Sequence, residues 1–361
     1  CVVAGYWMVQ RTILSPLKVL GGAARAVSAT ARLRTIDDQT VEETKEKRRE
    51  VGRNLRRITT IRTGDEVEQL AWDLAVMSSR VLRYHRELES EVAAKTTLIR
   101  DDLEMARVFQ TALMPIEYPE VPSAGVESRL GLRFVHYYEA TATVGGDFFD
   151  LIKLDDSRAA VLIADVMGHG ARSALVTAII QAMVRNRPRP IEDPGVFLGE
   201  LNTHLHQVIS RSGLVLFVTG FLMVLDTRRG RIEWSSAGHP APLRMRRGTD
   251  AAPEPLWQGS LGHMALGLRE DSEYATRSEA LESGDVFLLF TDGAVEAEDR
   301  GGEQFGMGRL TEGFAAAKDE PLAALPGEIV ERLRAHLGDR SNEDDICLVA
   351  VEAINSMGRH P

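Results

Sequence analysis

Cysteine is almost missing from this chain: Cys1 and Cys347 are its only thiols in 361 residues. That excludes a disulfide framework and a thiolate metal site, and it fits a reducing compartment. A Gly-x-x-x-x-Gly-Lys loop is lacking too, which argues against a nucleotide or another small phosphoester as substrate. No Ser, Cys or His stands out as a nucleophile, and there is no internal repeat or low-complexity tract. The opening apolar run, residues 1–9, falls short of the about 20 needed to cross a bilayer. What is present is ordinary globular composition, 44% hydrophobic and 27% charged. The length suits two or three domains with a sizeable core.

Charge is spread unevenly. Residues 1–62 hold 13 Lys/Arg against 6 Asp/Glu, or +7, which leaves −17 for the rest of a chain whose total is −10. A basic start on an acidic body argues against nucleic acid as the target. Beside an apolar stretch it suits the cytoplasmic face of a membrane. Tyr6 and Trp7 followed by Arg11 and Lys18 match an interfacial exit on the positive side. Residues 1–10 are therefore expected to be the end of a truncated transmembrane helix at the inner membrane, with the catalytic part in the cytoplasm.

Ile13, Leu17, Leu20, Ala24, Val27 and Ala31 recur at helical spacing. A charged stretch, 42–57, follows as solvated helix or connector. Asp65-Glu66 is placed to cap a second helix. There Leu70, Leu74, Met77, Val81, Tyr84 and Leu88 form a heptad seam. The seam slips by one residue and resumes as Val92, Ile99, Leu103, Ala106 and Leu113, with Thr96 and Gln110 as polar members. Pro115 stops it. So long a seam predicts a homodimer. On Pro16 and on Asp65-Glu66-Val67-Glu68-Gln69-Leu70, residues 11–88 resemble a HAMP domain, a helix–connector–helix module that relays signals out of bacterial membranes. Residues 89–114 are then a coiled-coil linker helix. A generic dimeric helical stalk is the alternative.

Past Pro115 the texture turns β-rich. Residues 132–139, 148–154 and 159–164 read as strands, the last two joined by an Asp155-Asp156-Ser157 turn. Residues 171–185 read as a helix, and a second is capped by Asp193 with Pro194 in its first turn. Residues 214–225 and 231–236 form a hairpin, 285–290 a buried strand, 322–337 a helix and 346–351 a last strand. Antiparallel strands with inserted helix pairs predict an α+β fold of two packed sheets flanked by helices.

Four acidic clusters punctuate this region: Val144-Gly145-Gly146-Asp147, Asp165-Val166-Met167-Gly168-His169-Gly170, Phe290-Thr291-Asp292-Gly293 and Glu343-Asp344-Asp345-Ile346. Each places an Asp at the end of an apolar run, beside Gly or another Asp. Core strands seldom finish on unpaired carboxylates, because removing charge from water is costly unless something compensates it. Several such ends meeting at one place bind a hard divalent cation through oxygen. Two cations clamp a phosphate and ionise a water at neutral pH.

With Ala237-Gly238-His239-Pro240, these motifs in this order resemble the SpoIIE-type branch of the metal-dependent, PPM-like Ser/Thr protein phosphatases. The resemblance spans about residues 100–353. It implies an α-β-β-α sandwich, here 115–355 with a tail at 356–361, and two Mn²⁺ or Mg²⁺ ions between the sheets. Asp165 is implied to bridge both ions and Val166 to offer its carbonyl. Asp147, Asp292 and Asp344 complete the catalytic ligand set, and Asp345 positions Asp344. The order within the Asp344–Asp345 pair stays open. Gly146, Gly168, His169 and Gly293 are implied to support the site. Eukaryotic relatives carry an acid His where this chain has Met167, so His169 is read as a helix-entry residue. Asp150 is read as solvent-facing or as support for a ligand, and His239 as shaping a nearby loop. His204 and His206 are read as ordinary helix residues, and Arg185, Arg187 and Arg189 as a solvated segment, with contact to an acidic partner as the alternative.

The implied activity is hydrolysis of phosphoserine or phosphothreonine on a regulatory protein, typically the antagonist of an anti-sigma factor. A catalytically silent module that binds a phosphoprotein is the rival reading, and a small-molecule phosphoesterase a third. Connectivity adds a gate. The linker helix runs into the catalytic domain and helix 171–185 follows the metal loop, so dimer geometry is expected to organise the ion pair.

Overall fold

Residues 159–164, 221–225, 286–290 and 346–350 are apolar runs of strand length, buried from end to end. A strand buried on both faces needs a covering layer on each side. The computed structural model supplies those layers. It describes residues 2–31, 49, 53, 56–115, 117–141, 143–168, 170–187, 190–259 and 263–356. Cys1, most of the charged connector, His169, Arg189 and the tail beyond Ser356 lie outside the described residues.

The chain divides into two units, Cys1–Arg100 and Asp101–Pro361. The first holds helix α1 (Val2–Val9), a π-helical turn at Gln10–Leu14, α2 (Ser15–Ala31) and most of α3 (Glu66–Leu113). Asp65 caps α3, its Oδ1 accepting from Val67 N–H at 3.0 Å. Leu20, Ile58, Ala71 and Ala75 make a small core between α2 and the start of α3. The seam residues Leu70, Met77, Val81, Tyr84 and Leu88 are exposed. Among the described residues no helix is long and apolar enough to cross a membrane.

The second unit contains two five-stranded antiparallel sheets. One has β1 (Leu130–Glu139), β10 (Ile346–Asn355), β9 (Asp285–Phe290), β6 (Leu243–Arg246) and β7 (Glu254–Pro255) in that spatial order. The other runs β2 (Asp147–Lys153), β3 (Arg158–Val166), β4 (Val218–Asp226), β5 (Arg231–Ala237) and β8 (Arg277–Ala280). Phe134, Phe149, Ile163, Phe221, Trp234 and Phe287 fill the space between the sheets. Helices α4 (Ala171–Arg185) and α5 (Pro194–Ser212) cover the second sheet through Ile180, Val184, Leu198 and Leu205. On the first sheet, α7 (Gly306–Ala316) and α8 (Leu325–Leu337) do the same through Leu310, Phe314, Ile329 and Leu333, after the short α6 (Gly293–Glu296). The layering is α-β-β-α.

Local chemistry sets the element ends. Asp193 caps α5 by accepting from Gly195 N–H at 2.8 Å and Val196 N–H at 3.0 Å, an arrangement contributing about 1 kcal/mol. Gly213 closes the same helix in a left-handed conformation, φ 69°. The structure also corrects the sequence reading. The hairpin's first strand starts at Val218 rather than 214, the last strand continues to Asn355, and the helix expected at 322–337 opens with a 3₁₀ turn, Leu322–Ala324. Strands β6, β7 and β8 and helices α6 and α7 escape that reading altogether.

Candidate active site

Antiparallel pairing brings the acidic ends together. Asp147 opens β2 and stands opposite Asp165, the penultimate residue of β3. Asp292 follows β9 and precedes α6, while Asp344 and Asp345 lead into β10, the neighbour of β9. The first sheet thus contributes Asp292, Asp344 and Asp345, and the second contributes Asp147 and Asp165. All five interact through space, so the predicted ligand residues converge.

Burial and like charge dominate their electrostatics. Burial, then Asp165, pushes Asp147 well above the ordinary carboxylate range. Burial, then Asp292, Asp344 and Asp345, raises Asp165 to about 7. Asp292 is raised by burial and by Glu296. Among the described residues, no Lys or Arg forms an ion pair with Asp147, Asp165, Asp292 or Asp345. Elsewhere this protein neutralises a buried acid: Asp285, with no exposed surface, takes Arg244 and Arg246, each at 2.7 Å. Among the described residues Asp147, Asp165 and Asp292 lack such partners, and like charges so close disfavour the ionisation of Asp147 and Asp165.

Hydrogen bonding sets Asp344 and Asp345 apart. Asp345 is buried and spends both oxygens on backbone, Oδ1 on Thr141 N–H at 2.8 Å and Oδ2 on Gly146 N–H at 2.6 Å. It ties the first acidic loop to the fourth. Asp344 is exposed, its Oδ1 accepting from Asp345 N–H at 2.8 Å, and its carbonyl accepts from Thr141 Oγ1. Two glycines keep this packing possible. A Cβ on Gly293 would overlap the Asp345 carbonyl oxygen. One on Gly146 would stand 2.7 Å from the Val166 carbonyl oxygen and 2.9 Å from that of Gly168, so both oxygens line the space a side chain would fill.

Four contributors escape the sequence reading. Thr291 Oγ1 donates to Asp147 Oδ2 at 2.6 Å, linking the two sheets. Thr141 supports the Asp344–Asp345 pair as described. The Tyr138 hydroxyl is buried beside Asp345 and Asp147 without a hydrogen-bond partner among the described residues, its proton held more tightly by burial and by those acids. Gln110, near the end of α3, grips Gly145 twice: Nε2 donates to its carbonyl at 2.9 Å and Oε1 accepts its N–H at 3.1 Å. For Gln110 alone a signal existed, as a polar residue at an apolar seam position.

The remaining residues sort plainly. Asp150 is buried rather than solvent-facing, and it turns to Arg185 at 3.7 Å, away from the cluster. Arg185 Nη2 and Gln181 Nε2 donate to the Leu113 carbonyl, closing the end of α3. His239 is buried, its Nδ1 2.9 Å from Thr219 Oγ1, and burial lowers its pKa to about 3, so it is neutral. His204 and His206 bond to the Glu200 and Gly267 carbonyls. A cleft of about 250 Å³ opens beside Gly293 and Asp344. A larger one, about 760 Å³, is lined by Arg129 and Ser356 at the opposite end of the β1–β10 ladder, remote from this chemistry.

Among the described residues, no group of three or more His, Cys, Asp or Glu is already gathered to hold a metal ion. The donor set nonetheless fits one. It consists of carboxylates and backbone carbonyls alone, the ligands of hard cations such as Mg²⁺ and Mn²⁺. Tightening around a dication would relieve the repulsion that raises Asp147 and Asp165.

Comparison with known proteins agrees with this architecture. A sequence model of the Stage II sporulation protein E (SpoIIE) family matches residues 155–354, more than half of the chain. That match begins after Asp147, whose place at the site rests on the geometry. The phosphoserine phosphatase RsbP of Bacillus subtilis is 26% identical over 225 residues, covering 60% of this chain and 51% of that protein. The phosphoserine phosphatase RsbU of the same organism is 24% identical, covering 56% of each. The chain spans about half the length of these curated relatives. Among solved structures, the SiaA-PP2C domain of Pseudomonas aeruginosa superposes with a TM-score of 0.58 at 24% identity, over 72% of this chain and 99% of that one. The RsbU and RsbW domains of a Mycobacterium tuberculosis protein give 0.53 at 24% identity, over 66% and 63%. The second unit has the PP2C phosphatase fold, and the chain belongs to the SpoIIE family.

Proposed function

We propose that this chain is a divalent-metal-dependent protein phosphatase acting on phosphoserine or phosphothreonine. One observation carries the reading: carboxylates from both sheets converge, and Asp147, Asp165 and Asp292 have no Lys or Arg ion pair among the described residues. Asp165 would be shared between two ions, with Asp147, Asp292, Asp344 and the Val166 carbonyl completing the set. Mn²⁺ or Mg²⁺, when bound, neutralises phosphoryl oxygens and lowers the pKa of a water. The chain's own part is positioning. Asp345 holds Thr141 and Gly146 so that Asp344 keeps its outward aspect, and Gly146 and Gly293 let backbone and phosphate approach closely.

The relatives named phosphoserine phosphatases support a phosphoserine substrate. Within this branch the expected partner is a phosphorylated antagonist of an anti-sigma factor. The exposed seam on α3 supports a homodimer, and the apolar N-terminal helix with Tyr6, Trp7 and Arg11 supports attachment to the inner membrane with catalysis in the cytoplasm. Gating fits the same picture, because Gln110 and the Leu113 carbonyl tie α3 to the first acidic loop and to α4.

The test is phosphate release from phosphoserine peptides and from nucleotides, with and without Mn²⁺, for wild type and Asp165→Asn. Peptide turnover that needs both Mn²⁺ and Asp165 supports the proposal. Turnover of nucleotides alone would make the protein a small-molecule phosphoesterase, and phosphopeptide binding without turnover would make it a silent scaffold. Gating is tested separately, by comparing residues 115–361 with the full chain, each with and without a forced dimer. Equal rates throughout would remove it.

A further inference from the structure

The Thr291 hydroxyl is wedged between the sheets where the β9–β10 ladder ends. Thr291 has no exposed surface, and neither has Cys347 opposite it. Thr291 N–H donates to the Cys347 carbonyl at 3.1 Å, as a ladder residue should. The return bond is unusual: Cys347 N–H donates to the Thr291 side-chain Oγ1, at 3.1 Å. The same Oγ1 reaches Asp147 Oδ2 at 2.6 Å on the other sheet.

Chemistry fixes the direction of that proton. A backbone N–H only donates, so Oγ1 must accept from Cys347 with a lone pair. Its single proton goes to Asp147, which can only accept once it is the ionised carboxylate that a cation needs. A side chain without a hydroxyl would leave a buried N–H and a buried carboxylate oxygen both unpaired, which native interiors avoid. With Oδ2 engaged, the Asp147 carboxylate is confined to one orientation.

We propose that Thr291 is a positioning residue for metal uptake, setting the orientation in which Asp147 ligates. The inference rests on the metal-site reading above. It extends the role of the Phe290-Thr291-Asp292-Gly293 turn. Asp292 supplies a ligand from one sheet, while its neighbour aims a ligand that belongs to the other. Partners of this kind behind a metal ligand change affinity when lost, by about 10- to 100-fold.

The experiment is a calorimetric Mn²⁺ titration of the full chain as wild type, Thr291→Val and Thr291→Ser, with melting in EDTA recorded alongside. Thr291→Val is expected to bind Mn²⁺ about 10- to 100-fold more weakly. Thr291→Ser, which keeps the hydroxyl, should stay close to wild type. Wild-type affinity in Thr291→Val, or an equal loss in Thr291→Ser, overturns the proposal. Should Thr291→Val not fold, Thr291→Ala and Thr291→Ser carry the same comparison, since they differ by the hydroxyl alone; equal affinities overturn it and stronger binding by Ser supports it. Wild-type protein that takes up no Mn²⁺ overturns the metal reading itself, and this inference with it.

Discussion

Asp147 and Asp165 occupy directly opposed positions on the β2–β3 ladder, two acids of one sign at one end of a buried sheet. Sheets place like charges opposite each other at a loss of stability. Asp285, another buried acid at a strand end, is paired with two arginines instead. On the proposed reading a cation from outside would turn that repulsion into ligation, and the consequences are measurable.

The first consequence is an unusual pH dependence of the metal-free protein. A carboxylate near 3.8 when unfolded and near 7 when folded favours the folded state in its neutral form. That contribution is complete below about pH 4 and is lost as pH rises through about 7. Asp147 and Asp292 push the same way. In EDTA the melting temperature should therefore fall between about pH 4 and 7, and saturating Mn²⁺ should abolish the fall. A flat or rising profile in EDTA contradicts the cluster as described.

Removing one of the charges should separate stability from function. Asp165→Asn is expected to raise metal-free stability at pH 8 by roughly 1–3 kcal/mol, since it relieves an uncompensated buried charge. Mn²⁺-dependent phosphate release should disappear in the same variant. Chemical denaturation in EDTA, paired with a release assay, checks both. A destabilised Asp165→Asn would point to a structural role instead.

Gln110→Ala should loosen the first acidic loop without unfolding the domain. Two hydrogen bonds to Gly145 are lost, each contributing about 0.5–1.5 kcal/mol. Because Gly145 and Gly146 precede Asp147, the expected readout is a higher Mn²⁺ requirement for turnover, with the melting temperature of the catalytic unit lowered by only a few degrees. Unchanged Mn²⁺ dependence would show that α3 does not reach the site through this residue.

Gly293→Ala tests the close approach on the opposite side. A Cβ there collides with the Asp345 backbone, which is held by β10 and has little room to yield. Overpacking of this kind costs about 1–3 kcal/mol. The variant should lose activity along with stability, since Asp344 and Asp292 flank the collision. Thermal melting and phosphate release, measured together, decide it.

How far the sequence reveals this molecule depends on whether an element owes its form to its own residues. Residues 285–290 and 171–185 coincide with observed elements because their apolar runs are long enough to declare themselves. Strands β6 and β8 stay hidden, since Leu243–Arg246 and Arg277–Ala280 carry alternating charge and hold their places by pairing with β9 and β5. The same division runs through the site. Aspartates ending apolar runs are conspicuous. Thr291 and Gln110 act through partners 144 and 35 residues away, a relation that exists only in three dimensions. The different surroundings of Asp344 and Asp345 likewise emerge only with the backbone bonds that occupy Asp345.

The most direct measurement of the central claim is anomalous diffraction from crystals soaked in Mn²⁺. The account predicts ions seated at the shared end of the two sheets, with Asp165 common to both. Asp147, Asp292, Asp344 and the Val166 carbonyl should be the other protein ligands, while Asp345 remains bonded to Gly146 and Thr141. Manganese found only elsewhere, or a cluster that stays empty at saturating Mn²⁺, would contradict it.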